Sequence, residues 1–218
     1  MAIPPLTQLK AVIFDFDGVI VDSERVKFDS LKPILREYGI TLHDREYRYK
    51  VGRKTLDFLR DRFGKKLSRA QINAIADRRR AGQMRQLSQY AKPISGVKSL
   101  IRTLQRKRLK LCIATGSMRH VVLPLLRAID LRKEFPILVT GEEYHGSKPD
   151  PLVYRIALRK LKLKPQQVLV IEDAPAGIIA AKRAGIAVVG IATTHTRSEL
   201  KNADLVVGSF AELRRKLR

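Results

Sequence analysis

The sequence predicts an α/β fold: a doubly wound, Rossmann-like parallel sheet with an α-helical bundle inserted near its start. Three observations carry this. From about residue 96 onward, short apolar runs alternate with stretches of helical periodicity, the pattern of a parallel sheet flanked by helices on both faces. Between residues 24 and 92 no convincing β run occurs, only helical texture. The apolar runs also end in polar residues, and a parallel sheet collects such residues at its carboxyl edge, where ligands gather. The expected division is a core domain of residues 1–22 and 93–218 and a helical insertion over 23–92.

The first strand is the apolar run beginning Ala11-Val12-Ile13-Phe14, which ends in Asp15 and Asp17 with Gly18 directly after. If the run continues as a strand, an i, i+2 spacing sends both carboxylates to one face. In the insertion, Val26, Leu31, Ile34, Leu35 and Tyr38 follow the helical period until Gly39, with a kink or break expected at Pro33. Leu56, Leu59 and Phe63 mark a second helix closed by Gly64, and Ser68-Arg69-Ala70-Gln71 has the form of a capping box opening a third. Residues 92–96 read as a linker into a helix at about 96–108. Strands are then expected at 110–114, 137–139, 168–171, 187–191 and 205–207. Helices fall between them at about 119–129, where Pro124 is expected to disturb the run, at 151–160 and from Pro175 to Gly185. A capped helix from Ser209 closes the chain.

The 218 residues and 44% hydrophobic content suit a globular domain with a small insertion and argue against disorder. No apolar run approaches the ~20 residues needed to cross a bilayer, and the first residues lack a secretory pattern. A cytoplasmic monomer is the default expectation. The lone Cys112 lies in a strand-like segment and reads as a buried thiol. The charge is unusual: 44 Lys and Arg against 21 acids give +23, which draws anions. Arg78-Arg79-Arg80 and Arg106-Lys107-Arg108 are the densest clusters. Neither carries the interleaved aromatics of a single-strand platform or a known DNA- or RNA-binding signature, so nucleic acid is not the expected partner.

Four segments deliver polar groups to the predicted carboxyl edge: Asp15 and Asp17, then Thr115-Gly116-Ser117, then Lys148, then Glu172-Asp173. Like-charged carboxylates held together need a cation or a proton. Oxygen donors from Asp15, Asp173 and Glu172 suit Mg²⁺. Thr115 and the backbone N–H groups at Gly116 and Ser117 stand before a helix and could cradle a phosphoryl oxygen, with Lys148 as a compact positive charge. Asp15 is then free to attack phosphorus in line, and Asp17 to protonate the leaving oxygen and later deprotonate water.

Asp15-Phe16-Asp17-Gly18-Val19, Thr115, Lys148-Pro149 and Glu172-Asp173 resemble, in order and spacing, the four motifs of the haloacid dehalogenase superfamily. The run from Ile171 to Ile178 is similar to its β-phosphoglucomutase-like and sugar-phosphate phosphatase branch, and the insertion resembles that branch's small helical cap. The resemblance implies Asp15 as nucleophile and Asp17 as general acid and base, with Thr115 and Lys148 holding the phosphoryl group. It implies Mg²⁺ bound by Asp15, the Asp17 carbonyl and Asp173, with Glu172 close by. It further implies a cap that closes over a small phosphorylated metabolite, with Arg53 as a substrate contact. The second aspartate separates this branch from the dehalogenases and points to phosphoryl transfer. Three positions depart from the mutases. Lys27 stands where they carry histidine, Gly52 is followed directly by Arg53, and Met118-Arg119 replaces a lysine and asparagine. The expected activity is therefore hydrolysis of a sugar or polyol phosphate, with a phosphosugar mutase as the alternative.

Overall fold

The computed structural model describes residues 3–5, 7–50, 55–81 and 91–217. Its centre is a six-stranded sheet, every pair parallel, in the order β3-β2-β1-β4-β5-β6. The strands are β1 (Ala11–Phe14), β2 (Lys110–Ala114), β3 (Ile137–Val139), β4 (Val168–Glu172), β5 (Ala187–Ile191) and β6 (Leu205–Val207). They are short and almost wholly apolar because both faces are covered, and β1, β4 and β5 are buried along their whole length. The strand order reverses between β1 and β4, the topological switch point beside which a doubly wound sheet opens its crevice.

The chain divides into two compact units, Met1–Val21 with Pro93–Arg218, and Asp22–Lys92. The second contains α1 (Ser23–Asp29), α2 (Leu31–Glu37), α3 (Tyr47–Lys50), α4 (Thr55–Phe63) and α5 (Arg69–Ala81), with no strand among its described residues. Its core is aromatic and aliphatic: Phe28, Phe58, Phe63, Leu31, Leu59 and Ile75 are all buried. Phe28, Phe58 and Phe63 meet edge to face. Ser68 and Gln71 form the reciprocal cap at 2.8 and 3.2 Å that opens α5. Asp22 accepts the Arg25 N–H and caps α1.

The first unit adds α6 (Val97–Arg106), α7 (Arg119–Ala128), α8 (Leu152–Leu161), α9 (Pro175–Arg183) and α10 (Phe210–Lys216). Two proline expectations are corrected. The break in the insertion falls at Ser30, and Pro33 sits in the first turn of α2, where a missing N–H costs nothing. Helix α7 runs on through Pro124. The acceptor that loses its donor there is the carbonyl of exposed His120, which water can satisfy. Among the described residues no helix is long and apolar enough to cross a membrane.

Candidate active site

The carboxyl edge of the sheet is where the charged residues of the core unit turn inward. Strand β1 stops at Phe14, and Asp15 follows it at once, its N–H donating to Ile171 of β4 at 3.0 Å. The chain then turns, with the Phe16 carbonyl accepting the N–H groups of Ile20 and Val21. The two aspartates are therefore presented by a strand end and a turn, and not by strand alternation. Gly18 is required in that turn: its φ is +76°, and a Cβ there would lie 2.0 Å from Asp173 Oδ2.

Asp15, Glu172 and Asp173 are all buried, and one carboxylate oxygen from each lies within 4.8 Å of the others. One lysine answers them. Lys148 Nζ donates to Asp15 Oδ1 at 2.5 Å and to Glu172 Oε1 at 2.6 Å. Glu172 is fully engaged, because Tyr154 donates to its Oε1 at 2.8 Å while the Asp173 and Ala174 N–H groups donate to its Oε2 at 3.0 and 3.2 Å. Glu172 thus orients Lys148 as firmly as it lines the cluster. The Tyr154 ring lies 5.2 Å below the ammonium and adds a cation–π contact. Gly177 makes room for Glu172, since a Cβ there would come within 1.7 Å of Oε1.

Burial, joined by Glu172, Asp173 and Asp17, holds the Asp15 carboxyl well above its ordinary value despite Lys148. Burial and then Glu172 push Asp173 up to about 7. Lys148 is raised, the pull of Asp15 and Glu172 outweighing the burial that opposes its charge. Burial comes first for both carboxyls, and the crowding of Asp15, Asp17, Glu172 and Asp173 around Lys148 adds to it. An oxygen-only donor set in such deficit fits a hard divalent cation, and Asp15 and Asp173 are the carboxylates best able to hold one because Glu172 is already saturated.

Thr115, at the end of β2, is buried and accepts the Ser117 N–H at 3.0 Å, so that N–H is spent locally. The Ser117 hydroxyl donates to Asp17 Oδ2 at 2.6 Å, which joins the second segment to the first. Asp15, Asp17, Glu172, Asp173, Lys148, Thr115, Gly116 and Ser117 therefore all belong to the core unit's carboxyl edge. Arg53 lies outside the described residues.

Three contributors, Tyr154, Thr193 and Thr194, were not singled out from the sequence. Tyr154 sits at an apolar position of α8 and reads there as core. Tyr144 donates to the Thr115 carbonyl at 3.4 Å. Beyond β5, Thr193 donates to the Gly18 carbonyl at 2.6 Å and Thr194 to Asp173 Oδ2, while His195 Nδ1 meets the Asp173 carbonyl at 2.9 Å. Their signal was position: Thr193-Thr194-His195 follows a central strand at the same edge as the aspartates.

The family model described as haloacid dehalogenase-like hydrolase matches residues 12–191. A phosphorylated carbohydrates phosphatase of Thermotoga maritima is 33% identical over 82% of this chain and 82% of its own length. Validoxylamine A 7'-phosphate phosphatase of Streptomyces hygroscopicus subsp. limoneus is 30% identical over 94% of this chain and 96% of its own. The crystal structure of CbbY from Rhodobacter sphaeroides in complex with phosphate superposes with a TM-score of 0.66 at 26% identity, covering 94% of this chain and 96% of that one.

Proposed function

The chain belongs to the haloacid dehalogenase-like hydrolase family, and from that premise we propose that it is an Mg²⁺-dependent phosphatase acting on a small phosphomonoester through an aspartyl-phosphate on Asp15. The observation that carries the reading is the buried Asp15–Lys148–Glu172 ion triple beside Asp173. Phosphoryl transfer through an aspartyl-phosphate needs a carboxylate nucleophile, a fixed cation and a cluster that takes a divalent ion, and this edge offers groups for all three.

Asp15, held by Lys148, attacks phosphorus in line; the aspartyl–phosphorus bond forms as the bond to the leaving oxygen breaks. Asp17, held by Ser117, gives its proton to that oxygen and the alcohol departs. The same carboxylate then takes a proton from water as the water attacks phosphorus, releasing phosphate and restoring Asp15. Lys148 offsets charge on the transferring group, and Thr115 lies beside it at the strand end. When bound, Mg²⁺ supplies positive charge that offsets the repulsion between a phosphate dianion and these carboxylates, with Asp15, Asp173 and the Asp17 carbonyl as its holders.

A sugar or polyol phosphate is the substrate class that the phosphorylated carbohydrates phosphatase supports. Lys27, Met118 and Arg119 stand where a mutase would grip a second phosphate with other residues, so hydrolysis is favoured over isomerisation. Asp15→Asn should abolish hydrolysis of a generic aryl phosphate with the circular dichroism spectrum unchanged, and excess EDTA should stop the unaltered enzyme. Turnover surviving either treatment overturns the reading. Conversion of β-glucose 1-phosphate without phosphate release would replace it by the mutase.

A further inference from the structure

The catalytic site uses one lysine and leaves the positive charge of the chain unexplained. The fold sorts that charge. At the amino ends of β2, β1 and β4, the edge opposite the active site, three segments are tied together by backbone hydrogen bonds. Lys110 N–H donates to the Lys10 carbonyl at 3.0 Å and Lys10 N–H to the Gln167 carbonyl at 2.8 Å. Residues 106–110 and 159–167 carry cations and no carboxylate. Lys10, Lys107, Arg108, Lys110, Lys162 and Lys164 are all exposed, and none forms an ion pair among the described residues. A shallow recess of about 360 Å³ lies among them, lined by Thr7, Leu9, Lys10, Lys107, Arg108 and Leu109, again without a carboxylate.

One ordinary explanation falls short. Cations suit helix C-termini, and α6 and α8 end at this edge. Each helix end offers only about half a negative charge, roughly one unit for the pair against six cations. The left-handed φ of Arg108 and Lys162, +58° and +55°, adds nothing to this, because it is the ordinary C-terminal turn that closes α6 and α8, and Asp130 makes the same turn after α7 at +56°.

We propose that this amino-terminal edge of the sheet is a docking face for the phosphate backbone of a nucleic-acid duplex. Strands about 4.8 Å apart spread the three segments over roughly 10 Å, and side-chain reach on either side brings several successive phosphates of one strand into range. The only exposed large hydrophobic residues among those described are Tyr49 and Met118, neither at this edge. A face without exposed aromatic rings does not stack unpaired bases, and one without an apolar wedge does not enter a bilayer interface. The contact is therefore to backbone, indifferent to sequence, and separate from the catalytic edge.

The test is fluorescence anisotropy of the full chain with a labelled duplex of mixed sequence. For about six contacts, affinity should fall on the order of a thousandfold between 50 and 200 mM KCl. Lys107→Gln/Arg108→Gln/Lys110→Gln should weaken binding by about tenfold or more and lower the salt slope by about 2.7. The charge-matched Lys65→Gln/Lys66→Gln/Arg69→Gln, in exposed positions of the helical unit, should change it less than about threefold. Aryl-phosphate turnover should be unchanged in both triple variants, and Asp15→Asn should bind the duplex as the unaltered chain does. Equal weakening by both triples would reduce the effect to net charge and overturn the proposal. So would salt-independent binding, or capture by phosphatidylserine vesicles with none by the duplex.

Discussion

Replacing Lys148 by methionine tests the centre of the site directly. The ammonium lies 2.5 Å from Asp15 and 2.6 Å from Glu172, each contact about 6 kcal/mol of attraction at an effective dielectric near 20. Desolvation offsets much of that, and removing one partner of a buried pair costs about 3–5 kcal/mol in practice. For a chain of 218 residues this lowers Tm by about 6–20 °C. The pH dependence gives the sharper signature. The Asp15 carboxyl already stands above its ordinary value, chiefly through burial, and losing Lys148 raises it further. A carboxyl raised on folding contributes stability that is present below its unfolded value and lost as pH rises through its folded value. The deficit of Lys148→Met relative to the unaltered chain should therefore be greatest near pH 8 and shrink toward pH 5 in thermal melts with EDTA. Lys148→Met/Glu172→Gln keeps an acceptor for Tyr154 while removing a buried charge, and should recover several degrees. A deficit independent of pH, or a double variant as unstable as the two single losses summed, would show that Lys148 acts by packing alone.

Ser117→Ala removes the hydroxyl on Asp17 and should slow the single-turnover transfer step from alkyl phosphates about ten- to a hundredfold while sparing that step with an aryl phosphate, whose leaving oxygen needs no proton; equal loss of that step on both would sink the idea. Gly177→Ala drives a Cβ into Glu172 and should cost far more in Tm and turnover than Gly39→Ala. The latter meets no atom within 4 Å and bears only a left-handed backbone penalty of about 1 kcal/mol. Burial pushes the Cys112 thiol up to about 12, so it stays neutral and shielded at pH 8. A disulfide reagent should count no thiol in the native chain and one in guanidinium, and rapid native labelling would contradict the burial.

Strands β3, β5 and β6 run over the residues that the sequence marks, because a strand buried on both faces is a continuous apolar run between polar ends. The site motifs were legible for a related reason: Asp15, Thr115 and Glu172-Asp173 stand at the end of such a run, where the parallel sheet aligns them, while Lys148 lies further along the loop beyond β3. What escaped depends on tertiary approach. Tyr154 is one apolar position among several on α8, and only its placement against β4 sets the hydroxyl on Glu172. Thr193 and Thr194 look like loop residues until β5 is placed beside β4 and brings them to Gly18 and Asp173. The prolines misled because propensity condemns them within a helix, whereas Pro33 occupies a first turn and Pro124 faces a carbonyl that water can reach.

The two ends of the sheet also explain why the site must bring its own cation despite a net charge of +23. Strands of four or five residues hold the amino edge about 13–17 Å from Asp15. With a screening length of about 8 Å at physiological salt, exposed Lys107, Arg108 and Lys110 do little for a carboxylate at that distance. Among the described residues Lys148 is the cation paired with this cluster, through Asp15 and Glu172, and burial with mutual repulsion still leaves the Asp15 and Asp173 carboxyls raised. A phosphate dianion entering this edge would add about two negative charges, which a divalent ion at Asp15 and Asp173 offsets and no rearrangement of surface lysines can. The surplus on the opposite edge is thus electrostatically spare for catalysis and free to serve a separate anionic partner.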